Sequence, residues 1–162
     1  MKKLHILLLV LSPIISIAQR KPKIKGSRIV TQVSEELPPF DAIVLNDDIE
    51  INLDKSFGPG YHLIADDNLI DVLKFEVKDG TLVISSYYNI TAKKELEITV
   101  KYTELKAITL KNGSIVSKDI IESNELFVDG FNNAQMDIKA NAVMDVNLED
   151  TSSGDFHVEW IL

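Results

Sequence analysis

Leu126-Phe-Val-Asp-Gly-Phe-Asn-Asn-Ala-Gln-Met-Asp-Ile138 and Val146-Asn-Leu-Glu-Asp-Thr-Ser-Ser-Gly-Asp-Phe-His-Val158 are two versions of one pattern. At an offset of 20, Leu126 falls on Val146, Val128 on Leu148, Ala134 on Gly154, Met136 on Phe156 and Ile138 on Val158. Ala140 and Ala142 then fall on Trp160 and Leu162. Apolar residues recur at every second position within a copy, and the copies recur along the chain. Alternation with a fixed longer period is the pattern of a β-solenoid, whose rungs bury inward side chains against one another. A rung of about 20 residues at ~3.3 Å each has a perimeter near ~65 Å, enough for three short sides around an apolar interior. Ile108 and Leu110 precede Leu126 and Val128 by 18 residues, so the first copy reads as shorter. Asn112, Asn132, Asn133, Ser152 and Ser153 fall at the corners, where their side chains can hydrogen-bond along the stack.

Upstream, from Phe40, the chain reads as strand after strand. Ile49, Ile51 and Leu53 alternate cleanly, as do Leu96, Ile98, Val100 and Tyr102. Asp79-Gly80 between two apolar runs signals a tight hairpin. Phe57-Gly-Pro-Gly60 is a turn. Leu69, Ile70, Val72 and Leu73 change the period to that of one short helix, with Asp66 or Asp67 at its start. Pro38-Pro39 closes the segment before this body.

The first residues read as an address. Lys2 and Lys3, the apolar run Leu4 to Ile17 and Ser16-Ile17-Ala18 describe a signal peptide over 1–18, cut before Gln19. The run is too short to span a membrane. The chain has no cysteine, so neither a lipidated N-terminus nor a disulfide framework is available. The remaining chain divides into a basic leader or linker over 19–39 and one β domain over 40–162. Without Lys2 and Lys3 the net charge moves from −8 to −10. Arg20, Lys21, Lys23, Lys25 and Arg28 hold a positive tail, read as a linker that can lie on the acidic body; residues 29–162 carry 10 Lys+Arg against 25 Asp+Glu. A body this acidic is unsuited to nucleic acid, where phosphate neutralisation supplies most affinity.

The segments Phe40-Asp-Ala-Ile-Val, Ile49-Glu-Ile-Asn-Leu, Ala65-Asp-Asp-Asn-Leu-Ile, Glu76-Val-Lys-Asp-Gly-Thr-Leu-Val-Ile84, Leu96-Glu-Ile-Thr-Val-Lys-Tyr102, Leu105-Lys-Ala-Ile and Gly113-Ser stand in a familiar order. Over residues 40–158 the chain resembles the head GIN domain family, known as auto-transporter adhesins and found mostly in exported proteins of Bacteroidetes. The resemblance implies a right-handed, mostly parallel β-helix outside the cytoplasm, with no established activity. A literal Gly-Ile-Asn triplet is absent, the nearest segment being Asp48-Ile49-Glu50-Ile51-Asn52, and the chain looks short for the family.

Catalysis on such a scaffold needs paired carboxylates or carboxylate-held calcium. The candidates are Asp47-Asp48, Asp66-Asp67, Asp129 with Glu149, and Asp137 with Asp155. The Asp-Asp pairs sit beside turns, which explains them without a site. Asp129 and Glu149 would stack on neighbouring rungs, where a bridging calcium is the metal alternative. His62 and His157 lack companions for zinc, and no nucleophile motif or phosphate loop is present. No cofactor is expected. Tyr87, Tyr88, Phe127 and Phe131 are the aromatic candidates for stacking on a ligand, with Trp160 assigned to the interior. The expected function is a non-catalytic, adhesin-like module that binds a glycan or an envelope protein at the periplasm, cell surface or exterior. A carbohydrate-active enzyme using carboxylates on one face, and an assembly module pairing through an uncapped C-terminal rung, are the two alternatives.

Overall fold

A computed structural model describes residues 20–149 and 156–160. The expected signal segment 1–18, the corners at Ser152 and Ser153, the carboxylate Asp155 and the side chain of Trp160 lie outside what is described. The strands are β1 (Lys23–Lys25), β2 (Val30–Glu36), β3 (Ala42–Leu45), β4 (Glu50–Lys55) and β5 (Gly60–Asp66), then helix α1 (Asp67–Ile70). After it come β6 (Leu73–Lys78), β7 (Thr81–Ser86), β8 (Asn89–Ala92), β9 (Leu96–Tyr102) and β10 (Ala107–Leu110). Two long strands, β11 (Ser114–Phe131) and β12 (Gln135–Glu149), lead to β13 (Phe156–Trp160).

The sheet that these strands build corrects the expected right-handed, mostly parallel β-helix of 20-residue rungs. It is a curled, mixed sheet in the order β2-β5-β9-β4-β11-β10-β3-β7-β6, with β12 and β13 added beside β11. The flanks are antiparallel: β2 with β5, β5 with β9, and β6 with β7. The physical reason lies in the turns. Asp79 (φ 49°) and Gly80 (φ 76°) reverse the chain within two residues, and an L residue tolerates that backbone best as Asp or Asn. The Phe57-Gly-Pro-Gly60 turn sends β5 back along the outside of β9 in the same way. A repeating rung cannot accommodate either reversal.

The long strands depart from the solenoid pattern too. β11 bends rather than turning at corners. Its pairing with β12 shifts between Val116 and Ile120 and again between Glu122 and Glu125. At the bends, Ser117 Oγ donates to the Asp119 carbonyl (2.8 Å) and Ser123 Oγ to the Glu125 carbonyl (2.7 Å). The early part of β11 pairs with β4 and its late part with β10, so one strand joins both halves of the sheet. The shifts also reverse the expected offsets. Ile108 pairs with Val128 and Val128 with Val146, offsets of 20 and then 18. Among the described residues, Met136–Phe156, Asp137–His157, Ile138–Val158 and Ala140–Trp160 fall in the register read from the repeat, while Gly154 and Leu162 lie outside what is described.

Alternation holds from β3 to the first half of β12, but Val146 and Leu148, which the repeat places inward, are exposed at 38% and 42%. Ile43, Leu45, Ile51, Leu82, Ile84, Ile98, Val100, Ile108, Leu110, Ile115, Leu126 and Val128 are fully buried on the inner face. A buried side chain of this size contributes about 1.5–3 kcal/mol, and that row is what stabilises the domain. A single helical turn forms at Asp67–Ile70 and buries Leu69, but it ends before Val72, and Leu73, expected on its face, opens β6. Tyr61 of β5 stacks on Phe75 of β6, ring centroids 4.0 Å apart at 12°, which draws the two flanks of the curled sheet together. Burial and the neighbouring Glu35 carboxylate, which accepts the Tyr61 O–H, push that hydroxyl up to about 12. A raised folded value means this contribution is intact below pH 10 and is lost as pH rises through about 12. Alkaline unfolding of Tyr61→Phe, followed by circular dichroism, is expected to lack that component.

The leader also takes part in strand pairing: β2 is the edge strand of the main sheet and β1 pairs in parallel with β8. Its positive charge suits the acidic body, and backbone pairing keeps it there.

Candidate functional site

Strands β7, β3, β10, β11 and β12 run parallel, and their ends are aligned. Ile84 lies beside Leu45, Leu45 beside Leu110, Leu110 beside Gly130, and Gly130 beside Leu148. The residues that follow these aligned positions therefore gather on one rim: Tyr87 and Tyr88, Asp47 and Asp48, Lys111 and Asn112, Phe131 and Asn132, and Glu149. Four inter-strand spacings make this rim ~19 Å long. Corner amides tie it together, with Asn112 Nδ2 donating to the Asn46 carbonyl (3.3 Å) and Asn132 Nδ2 to the Lys111 carbonyl (2.8 Å). Asn132 adopts a left-handed φ of 53°, which asparagine tolerates.

At the β7–β3 end, the basic leader crosses the rim and closes a cleft. Pro22 O accepts the Asn89 N–H (2.8 Å), and Lys23 and Ile24 pair with Asn89 and Ile90. Lys21 Nζ reaches the Asp47 carboxylate and the Ser86 carbonyl (2.8 Å). Asp47 Oδ2 also accepts the Ser86 N–H (2.8 Å), and Ser86 Oγ donates to Tyr88 O (2.8 Å). Asp47 thus fixes the leader and the Tyr87–Tyr88 turn together. The resulting cleft of about 580 Å³ is lined by Arg20, Lys21, Lys23, Asp48, Tyr88 and Asn112, among others. That is a volume suited to a small ligand or a few sugar units. A second, shallower depression of about 230 Å³ lies along the rim between Lys111, Phe131, Asn132 and Glu149.

The structure thus gathers Tyr87, Tyr88, Phe131 and Glu149 on one rim. Tyr87 and Tyr88 are 57% and 37% exposed, and Phe131 is half-buried. Lys74 Nζ stands 5.8 Å from the Tyr87 ring centre, so Tyr88 is the tyrosine that faces the cleft. Phe127 is exposed but sits at the other end of these strands, beside Ala107 and Asp145. Asp129 and Glu149 do not stack: Asp129 lies opposite Asn147 and Glu149 opposite Phe131. Among the described residues no three His, Cys, Asp or Glu side chains gather as a metal site. His157 is exposed, and His62 Nδ1 shares a hydrogen bond with Ser34 Oγ (2.7 Å). The acidic pairs near turns have structural partners, Asp47 in the leader and Asp66 in three backbone N–H groups.

Sequence reasoning missed Asp47 as the organiser of the cleft, and Lys111, Asn112 and Ser86 as its neighbours. The charge contrast between tail and body was the signal available for Lys21 meeting a carboxylate. Which carboxylate it meets depends on the β3–β7 pairing, which no local pattern announces.

A family model described as "Putative auto-transporter adhesin, head GIN domain" matches residues 39–159. No curated protein matches the chain. Among solved structures, the chain is similar to a putative adhesin from Parabacteroides distasonis ATCC 8503, with TM-score 0.72, 17% identity and coverage of 84% of this chain and 59% of that one. A putative adhesin from Parabacteroides merdae ATCC 43184 gives TM-score 0.67 at 14% identity, covering 86% and 61%. A protein described as a putative lipid binding protein from Parabacteroides distasonis ATCC 8503 gives TM-score 0.54 at 21% identity, covering 84% and 62%. The chain spans about three fifths of the length of these structures. At such identities the likeness is one of fold.

Proposed function

Since this chain belongs to the head GIN domain family, we propose that it is a non-catalytic, adhesin-like module that holds an extended saccharide along its rim. The observation that carries this reading is the continuous rim of Tyr88, Asn112, Lys111, Asn132 and Phe131 at aligned strand ends, with a cleft at one end. Aromatic faces suit the apolar face of a sugar ring, while amides and charged groups suit its hydroxyls. The fold neighbour described as lipid binding raises an acyl ligand as an alternative. The charged lining of the cleft and the close-packed inner face favour the sugar. An adhesin acts outside the cytoplasm, and among the described residues no helix is long and apolar enough to cross a membrane. Residues 1–18 are the proposed export signal, and mass spectrometry of the exported protein is expected to find Gln19 as the first residue.

The test is a panel of bacterial and host polysaccharides, scored for retention of the protein and for new reducing ends in the same samples. Retention without cleavage is expected, and Tyr88→Ala is expected to weaken it about tenfold or more, the typical loss when one stacking aromatic is removed. Release of new sugar ends would replace this reading with a glycoside-cleaving one.

A further inference from the structure

Resting on the saccharide reading, we infer that the ligand is an acidic saccharide, carrying carboxylate or sulfate groups that are read by Arg20, Lys23 and Lys111. The leader tips the cleft end of the rim to a positive balance, although Asp48 there and Glu149 beside Lys111 leave carboxylates along it. The body from residue 29 onward carries 10 basic against 25 acidic residues, yet the cleft is lined by three cations and two carboxylates. One of those carboxylates, Asp47, is taken by Lys21. Among the described residues Arg20, Lys23 and Lys111, like most of the other cations, form no ion pair, so a ligand anion meets no competing carboxylate partner on them.

The positions of these cations are set by backbone. Lys23 is held by its pairing with Asn89, directly beside Tyr88, and Arg20 is carried into the cleft by the Lys21 anchor. Lys111 lines the second depression, one residue before Asn112 of the cleft, its N–H bound to Leu45 O (2.9 Å) and its carbonyl to Asn132. An anionic sugar chain laid along the rim meets cations at both the Tyr88 and Phe131 ends, with ring faces between them. The acidic remainder of the surface repels the same chain elsewhere, which selects the rim.

The test uses the purified protein with three fluorescent oligosaccharides of equal length: an oligogalacturonide, its methyl ester, and a sulfated chondroitin oligomer. At least one charged probe is expected to bind about tenfold tighter than the neutral ester, the size of two or three exposed charge contacts together. That preference is expected to shrink at high salt. Arg20→Gln combined with Lys23→Gln and Lys111→Gln is expected to bring the ratio of charged-probe to ester affinity down to about one, whatever it does to the affinity common to both. Tyr88→Ala is expected to weaken all three probes alike. Equal affinity for the charged and neutral probes overturns the acidic class and leaves the saccharide reading standing. So does a preference that survives the triple substitution. Binding of none of the probes, nor of any glycan on the wider panel, overturns both.

Discussion

Gly113→Ala is expected to cost about 3–5 kcal/mol of unfolding free energy, a large part of the stability of a domain this size. Two penalties add. Gly113 has φ 81°, a left-handed conformation that alanine occupies only under strain. A methyl group there would also run into the Ile49 carbonyl, the Asp47 carbonyl (2.6 Å) and the Ile49 N (2.9 Å), all backbone atoms that cannot rotate aside. The only relief is to push the 47–49 turn outward, and Asp47 with it. Loss of stability is therefore expected together with loss of the leader's anchorage. Urea denaturation measures the first, and proteolysis within residues 20–29 the second. Gly58→Ala is the control, because a methyl group at Gly58 meets nothing within 4 Å. An unchanged urea midpoint for Gly113→Ala would refute the argument.

Asp66→Ala is the second large effect, expected to lower Tm by about 10 °C. Asp66 is fully buried, and its carboxylate accepts three backbone N–H groups: Arg28 (3.2 Å), Lys94 (3.0 Å) and Glu95 (3.1 Å). Gly26 packs against the same carboxylate so closely that no other residue fits there. Removing the carboxylate strands three donors and frees both the leader and the 94–95 loop. Burial works to raise the carboxyl's pKa, but the N–H groups of Lys94, Arg28 and Glu95 outweigh it and hold the value below 3.8. A lowered folded value means the contribution is complete above pH 3.8 and is lost as pH falls through the folded pKa. Acid unfolding of Asp66→Asn is expected to lack this component. Thermal melts from pH 2 to 7 on both proteins make the comparison.

Asp66 also marks the limit of what could be read in advance. Its position before Leu69 and Ile70 suggested a helix cap, and the helix is there, but the side chain makes no cap hydrogen bond. It turns instead to a leader 38 residues upstream. Local chemistry located the element, and long-range pairing reassigned the residue. The strands show the same division. Alternation in Ile49–Leu53 and Leu96–Tyr102 and the Asp79-Gly80 turn are local signals, and each holds. The repeat in 126–158 is also real, but it was read as one constant offset. The bends near Ser117 and Ser123 change that offset inside β11, and the hairpins upstream reverse strands that a solenoid keeps aligned. The aromatic candidates fared likewise. Tyr87, Tyr88 and Phe131 share one rim because the ends of five strands line up, a fact of register that separates Phe127 from Phe131 by four residues of a single strand.

β11 has a kinetic consequence. It is the one strand shared by both halves of the sheet, taking β4 and β10 on one side and β12 on the other. Two parallel ladders of the sheet join segments far apart in the chain: in β4–β11 Ile51 meets Ile115, and in β3–β10 Ile43 meets Ile108. Closing such long loops costs chain entropy before the ladder offsets any of it, so refolding is expected in the range of milliseconds to seconds. Substitutions in β11 will then slow refolding more than they hasten unfolding, because the β4 and β10 halves are not joined until that strand is in place.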